Sequence, residues 1–125
     1  MPLLPPALAS FIRHVAQAGF EVWLIGSRAN GTAREDSDWD FLIFGNSALL
    51  SQLESEQAPE NADVLVVHDG DAFRSPWNKT EDGVIKSGSL TGWKWSKTSE
   101  SEALYSGTKW PHDWGSTKCA HRIAS

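Results

Sequence analysis

Apolar residues change their spacing along the chain, and each change marks an element. Leu8, Phe11, Ile12, Val15 and Ala16 recur every three or four positions behind Pro5-Pro6 and ahead of Gly19. That spacing predicts a helix over residues 8–18, with proline at its start and glycine at its end. Residues 21–25, Glu-Val-Trp-Leu-Ile, form a short β-rich run that stops at Gly26, the pattern of a buried strand. Residues 28–34 have room for one or two helical turns, despite Gly31, before the polar loop 35–37. A second strand follows over 39–44 and is closed by the turn Gly45-Asn46. Ser47 reads as the N-cap of a helix over 48–56 that turns Leu49, Leu50 and Leu53 inward. The nearly continuous apolar run 62–68 predicts a third strand, central in its sheet because both faces are covered.

Beyond Asp71 the texture changes to Gly, Ser, Thr, Lys and Trp, over roughly 74–110. There, 84–86 and 93–95 read as a hairpin around 87–92. Ser99-Glu100-Ser101-Glu102 fits a capping box, which predicts a short helix over 103–105 ended by Gly107. The polar tail 111–125 has little periodicity and is expected to be loosely ordered. Together these elements predict one domain over 1–125: a core over about 8–70, a Trp-rich extension over about 71–110, and the tail. The fold class is α/β in the α+β sense, a small mixed sheet flanked by helices with the extension packed on it.

Composition narrows the picture. A net charge of −5 argues against a broad nucleic-acid-binding surface. A single cysteine, Cys119, forms no internal disulfide and suits a reducing compartment. The segment 1–6 lacks the charge and apolar run of a signal peptide, and no stretch nears the roughly 20 apolar residues that span a bilayer. A cytoplasmic protein without membrane contact is expected. Seven tryptophans are many for 125 residues, so their placement matters. Trp23 and Trp39 are expected in the core; Trp93, Trp95, Trp110 and Trp114 suit either core packing or stacking on a ligand, with core packing favoured. His112, Cys119 and His121 match no zinc spacing and lack a fourth ligand.

The chemistry gathers around three aspartates. Asp38 and Asp40, two apart at the mouth of the second strand, point to one side about 7 Å apart. Such a pair repels itself unless a cation lies between, and a divalent metal is the usual answer. Asp63 opens the third strand and would face that pair if the strands are neighbours. Three oxygen ligands suit Mg²⁺, which favours phosphate oxygens in its remaining positions. Gly26-Ser27 lies at a strand-to-helix turn, where backbone amides and the Ser27 hydroxyl are placed to donate to a phosphate. Ser27 is read as a phosphate donor and not a nucleophile, since no His–acid relay lies nearby. Arg28 suits either the triphosphate or pairing with Glu35 or Asp36. Two competing motifs fail: Thr32-Ala33 replace the Lys-Ser/Thr of a P-loop, and Phe41 and Ser47 replace the Gly and Glu of an EF-hand loop.

Gly26-Ser27-Arg28-Ala29-Asn30-Gly31 followed by Asp36-Ser37-Asp38-Trp39-Asp40 resembles the signature of the minimal nucleotidyltransferases of the DNA polymerase beta superfamily. The later carboxylate of that family matches Asp63, and the resemblance spans roughly residues 20–67. It implies a small α/β core and transfer of a nucleoside monophosphate from a nucleoside triphosphate, with ATP the expected donor. It further implies dependence on Mg²⁺ in a two-metal site of Asp38, Asp40 and Asp63, with Gly26, Ser27 and Arg28 on the nucleotide. The acceptor is a small molecule, a protein or RNA, and so short a chain leaves room for a protein partner or a homodimer to complete the pocket. The alternative is an antitoxin-like or regulatory binding module that keeps the fold for association; a phosphohydrolase using the same carboxylates is a weaker third reading.

Overall fold

A computed structural model describes residues 4–31, 34–35, 37–79, 85–106 and 117–124 of the chain. The first helix, α1 (Pro6–Gln17), starts two residues earlier than its periodicity suggests. Proline at the first helical position forfeits no hydrogen bond, and the Pro5 carbonyl accepts from the Ala9 amide at 2.9 Å. Its inward face is Leu8, Ile12 and Val15, and Gly19 turns the chain at φ +99°. Strand β1 (Glu21–Ile25) leads through Gly26 into the single turn α2 (Ser27–Asn30). Strands β2 (Trp39–Phe44) and β3 (Ala62–His68) flank helix α3 (Ser47–Glu54). The N-cap of α3 is Asn46 and not Ser47: its Oδ1 accepts the Leu49 amide at 2.8 Å. Both residue types cap well, and the extended backbone of Asn46 (φ −155°) decides between them.

Downstream, the expected hairpin and helix give way to strands: β4 (Ala72–Lys79), β5 (Ile85–Ser89), β6 (Ser96–Lys97), β7 (Glu102–Tyr105) and β8 (Lys118–Ala124). Strand β5 pairs with β4, while residues 93–95 belong to a turn held by Trp95 N–H donating to the Leu90 carbonyl. Residues 103–105, read as helical from the capping box, are extended, with Ala103 and Tyr105 buried and Leu104 outward. Much of the tail is structured as well, since β8 pairs with β1 on one side and β7 on the other. Val84, Gly107, Lys109, Trp110, His112 and Trp114 lie outside the described residues.

Among the described residues the sheet has eight strands in the order β5-β4-β3-β2-β1-β8-β7-β6, and only β2 and β3 run parallel, joined through α3. β3 lies inside the sheet, as its apolar run predicts. Strand alternation divides the core in two. Val22, Leu24, Trp39, Phe41, Ile43, Val64 and Val66 face the helices. Trp23, Ile25, Leu42, Leu65 and Val67 face the other way, under Phe73, Ala103, Tyr105 and Ala120. Turn 90–95 crosses that second face: Trp93 packs 4.6 Å from Phe73 on β4 and 5.5 Å from Tyr105 on β7. Trp95 meets Trp23 edge-on at 5.3 Å. Trp77 works on the opposite side, because a register shift in β4 turns it toward the helices. Its indole N–H donates to the carbonyls of Leu53 and Glu56, closing the C-terminal end of α3. Most tryptophans described are therefore packing elements. Among the described residues no helix is long and apolar enough to cross a membrane.

Candidate active site

The acidic residues meet at one end of the sheet. β2 and β3 are aligned so that Asp40 and Asp63 are direct partners on adjacent parallel strands. Both belong to the set that alternates with Phe41 and Val64, so both carboxylates rise on the second face. Each is half-buried, whereas Asp38, just before the strand, is exposed. Antiparallel pairing of Ile25 with Asp40 brings the end of β1 alongside. There Gly26 takes φ +74°, and a Cβ built on it would lie 2.2 Å from Asp40 Oδ2. The Asp40 carboxylate thus rests on the bare Cα of Gly26. Glycine serves here twice, for the left-handed backbone and for the close approach.

The turn after β1 is bound on both sides. The Gly26 amide donates to the Tyr105 hydroxyl at 2.8 Å, and its carbonyl accepts from Asn30 Nδ2 at 2.8 Å. Asn30 also joins β8, accepting the Cys119 amide at 2.9 Å and donating to the Cys119 carbonyl at 3.2 Å. His121 reaches the Ala29 carbonyl through Nε2 at 3.2 Å, a contact that requires the proton on that nitrogen. Burial raises the pKa of Tyr105 above its ordinary value. The hydrogen bonds to Gly26 and Asn30 oppose that rise, and the neighbouring charge of Asp40 adds to it.

Arg28 is held by the loop that follows α2 and by an aromatic ring. Its guanidinium stacks 4.4 Å above the Trp39 ring and donates to the carbonyls of Ser37 at 2.7 Å and Glu35 at 3.2 Å. It braces the loop that leads into Asp38. Ser27 is the first residue of α2, and its hydroxyl lies outside the described side chains. On the helix side of Trp39 a cleft of about 670 Å³ opens, lined by Pro5, Arg28, Glu60 and Asn61 among others. None of the three aspartates lines it.

Sequence reasoning brought together Gly26, Asp40 and Asp63 and missed Tyr105, Asn30 and His121. Alternation in Ala103-Leu104-Tyr105 was the signal available for a strand, and the capping-box pattern masked it. Carboxylate oxygens side by side form a hard donor set of the kind Mg²⁺ accepts. Among the described residues, however, no group of three His, Cys, Asp or Glu side chains converges closely enough to hold a metal ion. Asp40 and Asp63 are register partners, and Asp38 lies just before β2.

The acidic openings of β2 and β3 lie beside the Gly-Ser turn of an α+β domain. The chain belongs to the nucleotidyltransferase domain family, whose model matches residues 8–103. No curated protein and no solved structure matches it significantly. Membership supports nucleotidyl transfer as the general function. The match takes in Gly26, Asp38, Asp40 and Asp63, and it ends inside β7, ahead of Tyr105 and β8.

Proposed function

We propose that the protein transfers a nucleoside monophosphate from a nucleoside triphosphate, with ATP the expected donor, to a hydroxyl acceptor. The observation that carries this reading is the register pairing of Asp40 with Asp63 beside Gly26. In the reaction the acceptor oxygen forms a bond to the α-phosphorus while the bridging bond to the β-phosphate breaks and pyrophosphate leaves. Asp63 would take the hydroxyl proton as that bond forms. Asp38, Asp40 and Asp63 would hold Mg²⁺, in a one- or two-ion site, and the ion would offset charge on the phosphates. Ser27 and the amides of its turn would donate to the triphosphate, and Arg28 would act from behind by holding the loop before Asp38 in place.

Incubation with each α-labelled triphosphate, Mg²⁺ and cell extract is expected to label an acceptor, and Asp40→Asn or Asp63→Asn to abolish the label. Absence of triphosphate binding at millimolar Mg²⁺ would overturn the reading.

A further inference from the structure

We infer that Tyr105 is a positioning residue of this site: its hydroxyl fixes Gly26, the surface on which the Asp40 carboxylate is seated. The inference rests on the transferase reading above and adds to it a residue from beyond the family-matched segment.

Three observations meet at one point. Tyr105 is 3 % exposed and its ring is stacked on Trp93 and Trp95, with interplanar angles of 26° and 29°. Its backbone is paired with Lys118 on β8, and the next amide, Ser106, donates to the Trp93 carbonyl at 2.7 Å. A side chain gripped this way has little rotational freedom, so its hydroxyl is a fixed acceptor. That acceptor takes the Gly26 amide at 2.8 Å. Gly26 in turn leaves no room for a methyl group between its Cα and Asp40 Oδ2. Movement of Gly26 by a few tenths of an ångström therefore moves the support of the carboxylate. Asn30 holds the carbonyl of the same residue, in the next peptide group, and ties it to β8. The charge of Asp40 also bears on the Tyr105 phenol, which places the two groups in one electrostatic neighbourhood. The C-terminal strands thus complete the carboxylate site and do more than cover the sheet.

Tyr105→Phe removes the oxygen and keeps the ring. Mn²⁺, followed by electron paramagnetic resonance as a stand-in for Mg²⁺, is expected to bind this variant about 3- to 10-fold more weakly than wild type, the scale of one lost hydrogen bond. Trp95→Phe disturbs the same aromatic cluster without touching the hydroxyl, and is expected to lose thermal stability while keeping wild-type Mn²⁺ affinity. Equal affinity in folded Tyr105→Phe would overturn the inference, as would a loss in Trp95→Phe matching that in Tyr105→Phe. If wild type and Asp40→Ala bind Mn²⁺ equally or not at all, the metal-dependent reading of the site falls, and the inference with it. A measurement on wild type alone guards against misfolding of the variants. Tyr105 is the only tyrosine, so one labelled ring reports on it. Titration with Mg²⁺ is expected to shift the Tyr105 ring and Gly26 amide resonances with a common midpoint; binding that leaves both unmoved would overturn the inference.

Discussion

Gly26→Ala separates the chemistry of the site from the stability of the turn, because the same chain contains its control. Gly26 and Gly31 share φ +74°, yet only Gly26 has a neighbour in the way. A Cβ there would stand 2.2 Å from Asp40 Oδ2 and 3.0 Å from its Cγ, whereas at Gly31 nothing lies within 4 Å. Both substitutions place alanine in left-handed backbone, at about 1–2 kcal/mol. Both also gain about 0.4–1 kcal/mol from the entropy that alanine removes from the unfolded chain, so the two variants differ only in the collision. Asp40 is at the end of a side chain that can rotate, and it relieves the contact by leaving its preferred rotamer at about 0.5–1.5 kcal/mol. Gly31→Ala is therefore expected to cost about 1 kcal/mol net and Gly26→Ala about 2 kcal/mol. Urea unfolding followed by tryptophan fluorescence measures both. The functional difference is larger. Displacing a reacting-site carboxylate by about 1 Å lowers transfer on the order of 100-fold, and Gly31→Ala leaves it near wild type. Equal stability and equal transfer activity in the two variants would refute the seating of Asp40 on Gly26.

Asp40→Asn and Asp63→Asn are each expected to lower nucleotidyl transfer by at least about 100-fold, measured by label incorporation. Asn46→Ala is expected to cost about 1 kcal/mol by loss of the α3 cap, and Ser47→Ala close to nothing; reversed costs would restore Ser47 as the cap. The raised pKa of Tyr105 has a defined sign. Below about pH 10 both the folded and unfolded phenol keep the proton, and above it the unfolded chain ionises first, so stability falls as pH rises. Measured between about pH 9 and 11, the stability of wild type relative to Tyr105→Phe should fall by up to about 1.4 kcal/mol per pH unit. A flat difference would show that the phenol is not held protonated by the fold.

The N-terminal half was legible because its signals are local. Continuous apolar runs end at glycine in β1 and β2, and the helical spacing of Leu8, Ile12 and Val15 needs no partner to be recognised. Strands β1, β2 and β3 have the bounds their composition predicts, and Asp40 and Asp63 open the strands expected of them. Residues past Asp71 obey no such local rule. Ala103-Leu104-Tyr105 extends because β8 lies beside it, and Lys118–Ala124 extends because β1 and β7 both offer free edges. The β1–β8 pairing joins residues about a hundred positions apart, as between Leu24 and His121, and nothing in a short window encodes it.

The chain by itself determined the order of its central elements, the face on which the carboxylates rise, and the family to which they belong, since strand alternation and motif spacing depend only on sequence separation. Tertiary structure alone decided which aspartates stand side by side, that Arg28 braces a loop, and that a tyrosine from the far end grips Gly26. Those outcomes depend on register and on packing between distant strands.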